Sequence, residues 1–181
     1  MGIDEDDIMS DKKPVLPTEA MSEAYEKLLK LSMKEFKLLE EKTGPILHKL
    51  IDKTSGKLSE LDELSKEEAQ KISAYLKRDL KEAADYMADS GEEFQKWLSI
   101  DASVIENYLY DYFKQAADQT TVELAQLKEA AKHAPYRTGE ITGPGVLICD
   151  ECGEQLHFKK AGHIPPCAKC KGTEFHRLIC K

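Results

Sequence analysis

A mostly α-helical chain ending in a small cysteine-bearing β module is the fold class that this sequence predicts, and three observations carry it. Helix breakers are scarce before Pro135 and dense after it: residues 135–181 hold six of the ten glycines and four of the seven prolines, whereas 18–134 contain only Gly44, Pro45, Gly56 and Gly91. All five cysteines lie in that last stretch. Charged residues make up 33% of the 181 and aromatics only 7%, a balance that favours amphipathic helices with solvated faces. The expected organisation is a disordered acidic tail over 1–17 and an antiparallel long helical hairpin or three-helix bundle, coiled-coil-like, over 18–134. A linker over 135–146 and a compact β module over 147–181 follow.

The first helix is expected to open with Thr18 as N-cap after Pro17, with an apolar stripe of Met21, Tyr25, Leu28, Met33, Phe36 and Leu39. Gly44 and Pro45 interrupt the continuing series Ile46, Leu47, Leu50 and Ile51. They predict a kink or short break, because proline removes an amide donor and clashes one turn back, and Gly56 is expected to end the segment. The second helix starts from Ser65 with Glu68 three residues on, the spacing of a capping box, and buries Ile72, Leu76, Leu80, Ala83 and Met87 until Ser90 and Gly91 stop it. Ser90 with Glu93 repeats the pattern and opens a third apolar series running from Phe94 and Trp97 through Tyr108 and Phe113 to Leu124, Leu127 and Ala131. Unbroken over 92–133 it would reach roughly 60 Å at 1.5 Å per residue, with Asp101 and Thr120 as the places for a break. These stripes read as core, without chemistry. A di-iron bundle needs paired Glu-x-x-His motifs, and neither His48 nor His133 has a glutamate three residues before it.

The cysteines carry the chemistry. Cys149 and Cys152 form one C-x2-C pair, Cys167 and Cys170 a second, with fourteen residues between them. Each short loop turns two sulfurs toward one point, and four thiolates supply the tetrahedral donor set of one structural Zn2+. Such an ion replaces the apolar core that some forty residues cannot build, so metal binding and folding are one event here. Loss of the metal is expected to unfold this module and leave the helices standing. Disulfides are the other use of paired cysteines, but a chain without a secretory signal is expected in a reducing compartment. Gly153, directly after Cys152, suits a left-handed turn. Cys180 reads as a free thiol, and His157, His163 and His176 as surface or supporting residues. Pro165 and Pro166 stiffen the approach to the second pair, while Leu156, Phe158, Phe175 and Leu178 offer apolar contacts beneath the metal.

The segment from Tyr136 to Ile141, with Gly139 and Glu140 inside it, then Gly143, Gly145, Leu147 and Cys149 to Cys152, resembles the bacterial YbeL-like zinc-ribbon family. The likeness is most specific from Tyr136 to Arg177, Phe175 included, and extends more loosely back to about Tyr25. It implies an N-terminal helical hairpin, a C-terminal zinc ribbon and a cytoplasmic bacterial protein of uncharacterised function. It brings no catalytic residues. Ala168 stands where the family usually has proline and Lys171 where it usually has glycine, which makes the second turn the less regular one. Tyr136, Gly139 and Glu140 read as a docking linker or a partner surface.

A net charge of −8 disfavours generic polyanions, and residues 135–181 carry seven basic against five acidic groups, a +2 that the thiolates and their metal cancel. No apolar run reaches membrane length, and the acidic start lacks the features of a signal peptide, so a cytoplasmic protein without membrane association is expected. No acid, base and nucleophile converge, so no enzyme and no small-molecule substrate is expected. The leading reading is a non-enzymatic interaction or scaffold protein whose helices serve a protein partner or self-association. The alternatives are a nucleic-acid-binding, transcription-associated ribbon and a rubredoxin-like iron centre for electron transfer.

Overall fold

The computed structural model describes residues 17–40, 46–61, 64–127 and 135–178. Expectations for the tail before Pro17, for Gly44 and Pro45, for Ala131 and His133, and for Cys180 therefore lie outside the described residues. Helices come first: α1 (Pro17–Lys37), α2 (Ile46–Leu61), α3 (Lys66–Ser90), α4 (Phe94–Leu98) and α5 (Asn107–Leu127). Six short strands follow: β1 (Tyr136–Arg137), β2 (Ile141–Thr142), β3 (Gly145–Cys149), β4 (Gln155–Phe158), β5 (Gly162–His163) and β6 (Glu174–Arg177).

The apolar stripes do what their spacing predicts. Tyr25, Leu28, Leu29 and Met33 of α1, Leu47 and Ile51 of α2, Ile72, Leu76, Leu80 and Ala83 of α3, and Leu109 and Phe113 of α5 are all buried in one core. In this core α1 packs on α2, α3 and α5, and α3 packs on α2 and α5. At the start of α3, Ser65 Oγ accepts from the Glu68 amide while the Glu68 carboxylate accepts from the Ser65 amide, and Gly91 in left-handed geometry closes the helix.

Three boundaries differ from the expectation, and the third apolar series takes one of the two breaks it allowed. Pro17 is the first residue of α1 and Thr18 lies within its first turn, consistent with the preference of proline for a position whose amide has no helical partner. Gly56 does not end its segment. It sits inside α2, which runs on to Leu61 because Leu58 beyond it is buried. The second capping box does not form: Ser90 still belongs to α3, its hydroxyl donating to the Tyr86 carbonyl, and Glu93 precedes α4 without a side-chain cap. The third apolar series is divided. Ser99 adopts left-handed geometry after α4, and Asp101 caps a single 3-10 turn (Ala102–Val104) by accepting from the Ser103 amide. The break falls at the Asp101 position, whereas Thr120 stays within α5, its hydroxyl donating to Ala116 O. Separating α4 from α5 lets Phe94 and Trp97 stack on Phe113, with ring centroids 5.6–5.7 Å apart.

The strands form a four-stranded antiparallel sheet in the order β1-β6-β3-β4 and a two-stranded sheet of β2 with β5. Within residues 135–146, β1 joins the four-stranded sheet and β2 the two-stranded one. The register sets Cys149 opposite Phe175 and Leu147 opposite Arg177. These four side chains therefore share one face, because directly opposed residues of an antiparallel pair point the same way. Beneath it lies a small second core of Tyr136, Leu147, Ile164, Phe175 and two of the cysteines.

Candidate metal centre

Each cysteine pair is held by a tight turn. In the first, the amide of Gly153 donates to Cys149 O and that of Cys149 to Glu154 O; in the second, Lys171 donates to Cys167 O and Cys167 to Gly172 O. The parallel extends to the backbone: Gly153 has φ 74° and Lys171 φ 67°, both left-handed. The turns bring Cys149, Cys152, Cys167 and Cys170 together with all four sulfurs within 4.8 Å of one another. Cys149 Sγ lies 3.5 Å from Cys170 Sγ and Cys152 Sγ 3.5 Å from Cys167 Sγ. A disulfide would need about 2.05 Å, while a tetrahedron with metal–sulfur bonds of about 2.3 Å has edges of about 3.8 Å. The donor set and its dimensions fit a tetrahedral thiolate-bound cation. Backbone dipoles favour the same charge state. The Gly172 amide donates to Cys170 Sγ at 3.3 Å, and the Cys170 and Lys169 amides, in that order, draw the Cys167 thiol down to about 6, while at Cys152 and Cys170 the backbone amides are outweighed by desolvation and the neighbouring sulfurs, which raise both. The site leaves little free space, since a Cβ on Gly172 would come within 3.1 Å of Cys149 Sγ and 2.9 Å of the Glu151 carboxyl.

A family model described as a zinc-ribbon containing domain matches residues 34–178. The chain belongs to that family. The chain is 26% identical over 129 residues to the uncharacterized protein YbeL of Escherichia coli K12, an alignment covering 71% of this chain and 79% of that protein. The YbeL proteins of the O6:H1 and O157:H7 strains match to the same extent. No solved structure matches.

Of the remaining candidate residues, Tyr136 packs in the small core that holds Cys149 and Cys167, and the others are placed elsewhere. His163 pairs with Ile141 in the small sheet, and His176 meets Asp150 on the outer face of the large one. Tyr136, Gly139 and Glu140 are engaged within the molecule. Gly139, at φ 93°, makes the turn between β1 and β2. Glu140 binds the Arg78 guanidinium of α3. Tyr136 is fully buried, its hydroxyl donating to Glu82 of α3 and its ring 3.9 Å beneath Arg78 Cζ.

Around Tyr136 lies a cluster that the sequence reading missed. Asp79 of α3 is 0% exposed, and its Oδ2 accepts from Tyr25 Oη at 2.8 Å, the Gly143 amide at 2.6 Å and Thr142 Oγ1 at 3.2 Å. Arg177 of β6 is 2% exposed; it donates to Pro144 O and Thr142 Oγ1, both at 2.9 Å, and stacks 4.4 Å from the Trp97 ring. Burial drives the Tyr25 and Tyr136 phenols well above their ordinary range, Asp79 adding to the effect at Tyr25, so both stay protonated donors. One signal was readable: Asp79 falls three residues after Leu76 and four before Ala83, inside the apolar stripe of α3.

Proposed function

We propose a non-enzymatic, cytoplasmic zinc-ribbon protein with one structural Zn2+ in the four-cysteine cage, whose helical body binds a protein partner. The observation that carries the partner reading is the face shared by α1 and α5. Val122 and Tyr108 of α5 are 51% and 41% exposed, and Leu38, just beyond the end of α1, is 83% exposed. Between the helices opens a cleft of about 420 Å³, lined by Met33, Phe36 and Lys37 from one side and Gln115, Asp118, Gln119 and Val122 from the other. Lys30, Lys34 and Lys37 follow one helical face, and Lys30 and Lys37 lie over the rings of Tyr108 and Tyr112 at 5.3 and 4.8 Å. The matching partner is an amphipathic helix whose apolar stripe enters the cleft and whose acidic flank faces α1. The non-enzymatic reading rests on the commitment of the four thiols to the metal.

A photo-crosslinking residue at Gln119 tests the partner. The expected result is an adduct of defined mass that is missing from the same probe at Gln95 of α4 and that Val122→Glu abolishes. Equal labelling at both positions sinks the proposal, and an adduct with a second copy of the chain replaces the partner by self-association. Nucleic acid has less in its favour: on the outer sheet, Arg137 lies 3.3 Å from Glu174 and His176 meets Asp150. Affinity for nucleic acid falling steeply with salt would install it instead. A reversible iron couple in protein from its native host would do the same for electron transfer.

A further inference from the structure

The cluster around Arg177 and Asp79 joins the ribbon to the helices, although nothing in the metal cage requires it. We propose that β6 couples the two: closing the cage on a metal seats Arg177 beside Asp79, and losing the metal releases the ribbon from α1 and α3 and loosens the helical core. The inference rests on metal occupancy of the cage and not on the partner surface.

The path is short. Phe175 lies opposite Cys149 within the ribbon core, and two residues along the same strand and face comes Arg177. A strand fixes that separation at about 6.6 Å, so a cage that positions Phe175 also positions the guanidinium. The seat is shaped for it: Gly145 holds φ +135°, and a Cβ there would lie 2.2 Å from Arg177 Nη1. The receiving side belongs to the helices. Arg177 Nη2 stands 3.9 Å from Asp79 Oδ2, with Tyr25 of α1 and Arg78 of α3 donating to the same carboxylate. A second tie runs from Ser99, after α4, whose hydroxyl donates to Leu178 O just beyond β6. Withdrawing Arg177 strips one of two countercharges from buried Asp79, leaving Arg78 as its remaining cation, and the cost falls on the element that holds the carboxylate. The cost of losing Arg177 therefore falls on α3, in contrast to helices that outlast the metal unchanged.

Trp97, the only tryptophan of the chain, reports the seat directly because Arg177 stacks on its ring. Removing metal from the reduced full-length protein with a chelator, with metal release measured in parallel, is expected to shift Trp97 emission in step with release, and zinc restores it. Linkage demands the reciprocal effect. Arg177→Met, which leaves all four thiols intact, is expected to weaken zinc affinity at least about tenfold in competition with a chromophoric chelator. Thr142→Val, which removes one donor to Asp79 and one acceptor from Arg177, is the milder variant should Arg177→Met not fold, and is expected to weaken it severalfold. Metal release without a Trp97 response, or unchanged zinc affinity in the variants, overturns the coupling while leaving the metal site in place. A chain that binds no metal removes both.

Discussion

Lys171 holds at the second cysteine turn the backbone conformation that Gly153 holds at the first, φ 67° against 74°. For a residue with a Cβ the left-handed region costs roughly 1–2 kcal/mol, which glycine does not incur. Lys171→Gly is therefore expected to stabilise the metal-loaded protein by about 1 kcal/mol, and Gly153→Ala to destabilise it by a similar amount. Thermal melts of both variants with bound metal check this; equal melting temperatures would mean that the cage relaxes the strain. The space around Gly153 is open, so its effect is conformational and not a clash. Gly153 advertised its geometry in the sequence because glycine favours positive φ. Lys171 by itself could not, because nothing in a lysine announces a left-handed backbone; only the glycine usual at that position in the resembled family hinted at it, and the second turn is as regular as the first. The cysteines were legible for the opposite reason, since their spacing alone determines which atoms meet.

The helices show which local signals survive tertiary packing. The limits of α3 were legible at both ends because a capping box and a left-handed glycine act within one turn. Gly56 misled, since a single glycine costs a helix about 1 kcal/mol, less than the burial of Leu58 two residues later returns. Gly56→Ala in α2, with nothing within 4 Å of the added Cβ, is expected to raise stability by about 0.5–1 kcal/mol in urea denaturation; no gain would show that α2 is not helical there. The contact between α2 and α5 adds a pH dependence. His48 lies 3.3 Å from the Thr120 hydroxyl, whose proton goes to Ala116 O, so the imidazole Nε2–H donates. Desolvation, assisted by Lys77, lowers His48 to about 4. The unfolded chain binds this proton near pH 6.5 and the folded chain only near 4, so between those values the unfolded state holds more protons and stability rises with pH. Acidification from pH 7 to 4.5 is expected to remove about 1–3 kcal/mol that His48→Gln does not lose, as measured by denaturant titration at each pH. Parallel losses in both proteins would place the effect elsewhere.

Across the whole molecule, two apolar cores of unequal size meet at a polar seam. The ribbon's own core of Tyr136, Leu147, Ile164, Phe175 and its buried cysteines is too small to stand without a metal, and the seam fastens it to a helical core several times larger. Sequence reasoning found the helical core and, in the ribbon, Phe175 with Leu156 and Phe158 at its margin, but not Leu147, Ile164 or the seam, and Leu178 lies outside that core. Periodicity identifies faces, but pairing a charge at 79 with one at 177 requires knowing that the docked ribbon brings the Arg177 side chain up to α3. The seam has a testable energetic character. Asp79→Leu leaves Arg177 buried without its carboxylate and is expected to cost about 3–5 kcal/mol. Arg177→Met added to it removes the stranded charge, so the double variant is expected to recover most of that loss, although Tyr25, Thr142 and the Gly143 amide lose their shared acceptor in both. Denaturant titration of the four zinc-loaded proteins gives the coupling energy directly. Additive losses would mean that the two charges do not sense each other across 3.9 Å. Full recovery would mean that apolar packing holds the ribbon equally well, leaving the charges to set which register of β6 docks rather than how tightly.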